Sequence, residues 1–309
     1  MHTTGTPPTV LSPEIVRLID RYRTCEFATV TRSGTAIAWP TIPVYAAGSG
    51  TFTLTTSIAL PTKALNIRRE PHVSLLFSDP TGSGMEAPPQ VLVQGRATCP
   101  DVVLASPDGL ERYWARLFAR QPGGTAYGKT AIGRHLMDWY YFRLVITVQP
   151  ELVDVREPLV RPDRLAPGAG PLKELRRYQD AVLSWIDDDG RPVSSRVRPE
   201  PLPDGRLRLP EVAGVRAGTA SLLGHSHDEK LWSLRSFVSV GSVALGQEGW
   251  AFTPERYLPG ASPDPRALLR TLVNGRRTAK RYLERRGLAR PVVPWASFKA
   301  LYDRPDLAL

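Results

Sequence analysis

The sequence predicts a mainly β protein with peripheral helices, organised as two tandem barrel-like domains of which the second is degenerate. Short segments with alternating apolar residues follow one another, separated by turns rich in Gly and Pro, as in antiparallel sheets. A single short helix interrupts the first strands, so the regular βαβ alternation of a parallel sheet is missing. The pattern then restarts in the second half of the 309-residue chain, which is long enough to form two cores.

The first half is predicted to open with a helix over residues 10–23. Ser12 can cap this helix, and Pro13 suits its first position. Pro40 and Pro43 mark an interruption in the second of the strands that follow. A helix is expected over residues 110–120. The predicted strands cover residues 26–31, 36–45, 51–54, 72–78, 91–98 and 139–148.

The second half repeats this order after a linker over residues 157–171 that is rich in Pro and Gly. It starts with a predicted helix over residues 172–179, and the segments at 220–225 and 237–243 parallel those at 73–77 and 91–97. We interpret the pattern as a tandem duplication. The expected domains are residues 1–156 and 172–309, the second ending in a helix, and a strand, a turn and a strand follow its first helix at 181–186, 187–190 and 191–199.

A hydroxyl cluster ends the strand at residues 51–54 and leads into a helix that carries Lys63. Unpaired backbone N–H groups and the positive end of the dipole lie at a helix N-terminus, which can therefore hold an anion. The cluster consists of Thr55, Thr56 and Ser57. It is either a phosphate cradle or an ordinary turn in which the hydroxyls cap the helix. The second copy, at residues 206–216, lacks the hydroxyls, the lysine and the helix.

Composition excludes several classes of protein. The net charge is +10, but the arginines are spread along the chain, so no nucleic-acid partner is expected. The densest basic segment, residues 276–286, is either a solvated helix face or a surface for an anionic ligand. No apolar run is long enough to cross a membrane and no secretory signal is visible, so a cytoplasmic protein is expected. Cys25 and Cys99 lack the spacing of a metal site.

Two histidines, His225 and His227, alternate along a predicted strand and would share one face, with Asp228 or Glu229 as a third metal ligand. No later Cys or His completes the set. The preferred interpretation is a turn or a helix start, at which the two acidic residues complement the dipole of residues 230–236. We therefore predict no metal site.

The order of these segments resembles the pyridoxamine-5′-phosphate-oxidase-like superfamily of split β-barrel proteins. The resemblance rests on the Pro-bearing strand, the pattern Thr-Thr-x(6)-Lys-x-x-Asn-x-x-Arg from Thr55 to about Arg69, a Val-Ser-Leu-Leu strand and a Val-x-Gly-Arg-Ala strand. It covers residues 25–150 well and residues 181–257 more loosely. It implies a flavin or deazaflavin oxidoreductase, commonly a homodimer with the cofactor between subunits.

The resemblance also implies which residues bind the cofactor. Hydroxyls and a lysine hold the phosphate in this family, and the ring lies along the Pro-bearing strand. Carried over, the phosphate contacts are Thr55, Thr56, Ser57 and Lys63, with Asn66 and Arg68 as further contacts. The ring contacts are Trp39, Pro40, Thr41 and Ile42, joined by Gln94. The family commonly needs no side-chain acid or base, so no catalytic residue is named.

The leading functional hypothesis is therefore an FMN-dependent oxidoreductase acting on a small-molecule substrate. An 8-hydroxy-5-deazaflavin coenzyme is the alternative cofactor, and haem is a third, since some relatives handle haem. The second barrel would act as an internal partner subunit, or the chain would form a homodimer. The rival hypothesis is a non-catalytic binding module that kept the barrels, which Trp39 and the degenerate second copy favour.

Overall fold

The computed structural model describes residues 10–159, 177–178, 180–302 and 304–308. Two seven-stranded antiparallel sheets dominate these residues, one in the first half (residues 10–159) and one in the second half (residues 177–308). The mainly β class with peripheral helices is confirmed. Among the described residues, no helix has the length and apolar character of a membrane span.

The first sheet has the strand order β2-β1-β5-β6-β7-β4-β3. Its strands are β1 (Cys25–Val30), β2 (Ala36–Thr41), β3 (Val44–Ala46), β4 (Thr51–Ser57), β5 (His72–Phe77), β6 (Gln90–Thr98) and β7 (Arg143–Arg156). The segment predicted as one strand over residues 36–45 is divided at Ile42 and Pro43. A break is expected there because Pro43 cannot donate a ladder hydrogen bond.

The second sheet has the strand order β10-β11-β14-β13-β12-β8-β9. Its strands are β8 (Ala181–Ile186), β9 (Pro192–Val197), β10 (Glu200–Pro201), β11 (Leu207–Arg208), β12 (Gly218–Ser226), β13 (Arg235–Gly246) and β14 (Gly249–Pro259). When β8–β14 are matched in chain order with β1–β7, the two sheets have the same strand order. This identity of topology is what a tandem duplication predicts.

A matching β-bulge supports the duplication in detail. The pairing of β6 with β7 shifts register between Gln94 and Gly95, where Gly95 faces Pro150. The pairing of β13 with β14 shifts between Val240 and Gly241, where Gly241 faces Pro254. A Cβ added to either glycine would overlap a carbonyl oxygen of the opposite strand, so both bulges require glycine.

The first sheet is apolar on both faces because alternate residues of its strands enter two different cores. One core lies within the first half and contains Phe27, Leu75 and Val93. The second lies between the halves and contains Ala28, Leu76 and Leu92, together with the apolar residues of the second sheet. This explains why all six residues of β1 are buried. The halves therefore share a continuous apolar interface.

Seven helices flank the sheets in the described residues: α1 (Pro13–Arg21), α2 (Thr62–Arg69), α3 (Glu111–Arg120), α4 (Gly123–Lys129), α5 (Ala131–Tyr141), α6 (Pro265–Glu284) and α7 (Trp295–Lys299). The hydroxyl of Ser12 caps α1 by accepting a hydrogen bond from the N–H of Ile15, as predicted. Helices α6 and α7 return to the first half, where Tyr282, Leu283 and Phe298 join its core.

For three predicted segments the structure differs from the prediction, decides between alternatives or does not describe the residues. Residues 139–141 were expected to begin a strand, but α5 continues to Tyr141 and β7 begins at Arg143. The error arose because aromatic residues favour both strands and buried helix faces. Of the turn or helix start expected before residue 236, the structure forms the turn, since β13 starts at Arg235. The helix expected over residues 172–179 lies almost entirely outside the described residues.

Candidate functional site

The hydroxyl cluster at the end of β4 is buried and hydrogen-bonded to the protein. The Thr55 hydroxyl donates to the Tyr113 hydroxyl at 3.1 Å, and the Thr56 hydroxyl donates to the Leu60 carbonyl at 2.8 Å. The Ser57 hydroxyl donates to the Trp139 carbonyl at 2.6 Å. All three hydroxyls therefore fix β4 against its neighbours, and an anion bound here would have to compete with these acceptors.

Lys63 lies in the first turn of α2, with its side chain half-buried. Burial, followed by the nearby charge of Arg143, lowers the pKa of Lys63 to about 8. Among the described residues, no carboxylate contributes to this shift. A lysine held beside another cation without an acidic partner is in a position that an anion would stabilise.

Arg143, the first residue of β7, is the nearby cation that the sequence did not single out. Its side chain is buried, and its guanidinium lies over the rings of Tyr140 at 4.2 Å and Trp114 at 5.0 Å. Its Nε and Nη2 atoms are buried without a hydrogen-bond partner in the described part of the chain. Unpaired buried donors on a cation are costly, so this guanidinium is poised for an acceptor.

Asn66 and Arg68, the other predicted phosphate contacts, are also hydrogen-bonded to the protein. The Asn66 amide donates to the Thr29 hydroxyl at 3.0 Å. Arg68 forms an ion pair with Asp101 at 3.0 Å, and its guanidinium donates to the Tyr282 hydroxyl at 3.3 Å. These contacts tie α2 to β1 and to α6.

The predicted ring contacts lie at the interface between the halves. Trp39 is half-buried and packs against the core that the halves share. The Gln94 amide donates to Asp187 at 3.3 Å and to the Pro192 carbonyl at 3.2 Å, both in the second half. The Thr41 hydroxyl donates to the Trp39 carbonyl, and Pro40 pairs with Glu26 in the β1–β2 ladder.

Cys25, the first residue of β1, lies beside the Pro-bearing strand, where it pairs directly with Thr41 in the β1–β2 ladder. Burial, followed by the charge of Glu26, raises the pKa of the Cys25 thiol, and the charges of Arg120 and Lys63 oppose that shift.

A second polar group, which we name the cross-half charge cluster, lies buried between the halves. In this cluster the Arg196 guanidinium forms ion pairs with Glu26 at 2.7 Å and with Asp180 at 2.5 Å. His225 Nε2 lies 2.8 Å from Glu26 Oε1. The cluster consists of Glu26, Asp79, Asp180, Arg196, His225 and His227.

Arg143 and four members of the cross-half charge cluster, Glu26, Asp79, Asp180 and Arg196, were not predicted from the sequence. Glu26 is an isolated charge in a buried strand, and Arg143 interrupts an apolar run; both are signals that a buried partner or ligand is present. Asp79 carries no local signal, because its partners lie in the other half of the chain.

Two surface clefts are lined by residues other than the predicted cofactor contacts and the cross-half charge cluster. One, of about 490 Å³, is lined by residues of α5 and α7 that include Arg134, Asp138 and Trp295. The other, of about 320 Å³, lies beside β11 and the turn between β13 and β14. Neither includes a residue predicted to bind the cofactor.

No protein-family profile matches the chain, and a search of curated proteins finds no significant match. Solved structures do match its fold. A conserved hypothetical protein from Mycobacterium tuberculosis is 19% identical, over 50% of this chain and 90% of that protein, with a TM-score of 0.34. An F420 reductase is 19% identical, over 45% of this chain and 94% of the reductase, with a TM-score of 0.31.

HutZ, the haem storage protein from Vibrio cholerae, is 18% identical, over 48% of this chain and 96% of HutZ, with a TM-score of 0.31. Each alignment spans about half of this chain. The predicted tandem arrangement of two β domains is confirmed by the two sheets of equivalent strand order.

Proposed function

We propose that the protein is an FMN-dependent oxidoreductase whose first half holds the cofactor phosphate between Lys63 and Arg143. The observation that carries the proposal is the buried Arg143 guanidinium, with two nitrogens lacking partners in the described residues, beside a lysine that no carboxylate neutralises. Two adjacent cations repel each other, and a phosphate would offset both charges and accept the unused hydrogen bonds.

The flavin would supply the chemistry, which is hydride transfer to or from a small-molecule substrate. The residues of this chain bind and orient it. Lys63 and Arg143 supply positive charge, and the Thr55 to Ser57 hydroxyls would exchange their present acceptors for the phosphate. Trp39, Pro40, Thr41 and Gln94 remain our proposed ring contacts. The second half then replaces the partner subunit of a dimer, in a cytoplasmic enzyme.

Lys63 and Arg143 would also suit another cofactor that carries negative charge. An 8-hydroxy-5-deazaflavin coenzyme carries an anionic tail, which Lys63 and Arg143 would also suit. Haem is the weaker choice, because His225 and His227 are both buried in the cross-half charge cluster.

A non-catalytic binding module is the second candidate, and the interface favours it. Trp39 packs against the apolar core between the halves, and Gln94 is hydrogen-bonded across the interface. A ring inserted at this interface would have to displace these contacts. A module of this kind would bind phosphate-bearing ligands at Lys63 and Arg143 without placing a flavin ring for reaction.

The first prediction tests cofactor binding. We expect the purified protein to bind FMN, measured by quenching of flavin fluorescence, and Lys63→Ala to weaken binding by roughly tenfold or more because a charge-assisted contact is lost. Lys129→Ala, at the exposed end of α4, is the matched control and should leave the affinity unchanged. A protein that takes up neither FMN nor a deazaflavin would contradict the proposal.

The affinity should also depend on pH in a defined direction. The pKa of Lys63 is about 8, so its ammonium is present below pH 8 and is lost above it. Affinity for FMN should fall as the pH rises from 7 to 9.5, by at most about tenfold per unit for one linked proton. Lys63→Arg keeps its charge and should flatten the profile. An unchanged slope in that variant would show that another group is responsible.

A further inference from the structure

We propose that Asp79, His225 and His227 bind a divalent transition-metal ion, with zinc the best match, at the interface between the two halves. Asp79 follows β5 in the first half. His225 lies on β12 in the second half, and His227 follows directly after that strand. Their side chains are at most 5% exposed.

The three ligand atoms lie close enough to share one ion. They are all within 4.8 Å of one another. Asp79 Oδ2 lies 3.8 Å from His225 Nδ1 and 3.7 Å from His227 Nε2. Two ligands of a tetrahedral zinc ion, each with a bond of about 2.0–2.1 Å, are roughly 3.4 Å apart. Closing the three atoms onto an ion therefore needs only small side-chain movements.

His225 can present a lone pair to this position. Its Nε2 lies 2.8 Å from Glu26 Oε1, which accepts, and 2.9 Å from Arg196 Nη2, which donates. With the proton on Nε2 and donated to Glu26, Nδ1 carries the lone pair that a metal ion requires. In the described chain Nδ1 is buried without a hydrogen-bond partner, and its 3.8 Å separation from Asp79 Oδ2 is too long for a hydrogen bond. A metal ion at this position would give Nδ1 a partner.

His227 is oriented in the same way by its other nitrogen. Its Nδ1 lies 3.0 Å from the backbone carbonyl of Asp228, which can only accept, so Nδ1 carries the proton. The lone pair of Nε2 then faces Asp79 and the Thr24 hydroxyl. Metal-bound histidines commonly donate their second N–H to a carboxylate or a carbonyl, and here Glu26 and the Asp228 carbonyl fill those roles.

The chemical types of the three ligands indicate which metal ion would bind. Two imidazoles and one carboxylate suit zinc and its neighbours, whereas calcium and magnesium prefer oxygen ligands. Three protein ligands leave one position of a tetrahedral ion for water or another small molecule. Since the ligands come from both halves, the ion would also hold the halves together.

Metal titration of the full-length protein tests the proposal. After treatment with a chelator, the protein should bind one Zn²⁺, measured by competition with a chromophoric chelator, and Co²⁺ should give the visible bands of a tetrahedral complex. His227→Gln and Asp79→Asn should each weaken Zn²⁺ binding by more than about 100-fold, beyond the effect typical of residues behind the ligands. His135→Gln, which alters an exposed histidine, should have no effect.

A variant that gains a spectroscopic signal distinguishes the loss of a metal ligand from misfolding. His227→Cys should restore binding and add a sulfur-to-cobalt charge-transfer band that the wild type lacks, because thiolate is a good ligand for these metals. The proposal is overturned if the wild type binds no Zn²⁺, if His227→Gln binds it as tightly as the wild type, or if folded His227→Cys shows no such band. None of these readouts depends on flavin binding.

Discussion

Arg196→Met should lower the free energy of unfolding by about 3–5 kcal/mol, the range found when a buried charge loses its partner. Arg196 is 2% exposed and Glu26 is fully buried. Methionine retains most of the packing volume but removes the cation, so Glu26 and Asp180 lose the guanidinium that binds both. The loss should appear as a lower midpoint of urea unfolding, followed by circular dichroism.

The geometry explains why this effect should be large. The Arg196 guanidinium donates to Glu26, to Asp180 and to the Ser78 hydroxyl, and Ser78 donates in turn to Glu26. Burial disfavours the charge of Arg196, but the neighbouring carboxylates outweigh this and raise its pKa. Arg206→Met removes an exposed pair with Asp204 and should leave the midpoint unchanged. Equal midpoints for the two variants would refute the assigned role of Arg196.

Trp114→Ala should destabilise the protein by about 3–5 kcal/mol, the usual range for removing a large buried aromatic side chain. Trp114, on α3, is 1% exposed. Its ring stacks on Tyr141 of α5 at 5.5 Å and meets Phe298 of α7 edge-on at 4.8 Å. Removing it leaves a cavity where three helices meet and takes away one of the rings below Arg143. Urea unfolding measures the loss.

Trp114→Phe is the matched control. Phenylalanine retains an aromatic ring and removes the indole N–H, which is buried without a hydrogen-bond partner in the described chain. The lost volume and the removal of an unsatisfied donor act in opposite directions, so Trp114→Phe should retain more than half of the stability lost in Trp114→Ala. If both variants lose the same amount, cavity formation is not the cause.

The sequence was sufficient to predict the fold because the information is local and repeated. Alternating residues define β1, β5 and β6, and the Gly95 and Gly241 segments recur in matching positions. The sequence could not show that both faces of β1 are covered, because an alternating pattern such as Phe27-Ala28 does not reveal whether the smaller residue faces solvent or a second core. In this protein Ala28 faces the second half.

The candidate sites were harder to predict because they depend on contacts between distant residues. Lys63 was identified through its position after the hydroxyl cluster, but its neighbour Arg143 lies on another strand. Likewise His225 and His227 were recognised as a pair, while their acidic neighbour was sought at Asp228 or Glu229. Asp228 instead accepts backbone N–H groups in the following turn, including that of Trp232 at 2.9 Å. The acid beside the histidines is Asp79, brought there by the packing of the halves.

The return of α6 and α7 to the first half has a consequence for biosynthesis. Tyr282, Leu283 and Phe298 complete a core whose other members, among them Phe27 and Trp114, are translated much earlier. Domains emerging from the ribosome generally fold in order, the N-terminal one first. In this chain the earliest barrel would leave the ribosome with part of its apolar surface uncovered. That surface stays open until α6 and α7 have left the ribosome, so the half that is translated first completes its core only after the second half has been made.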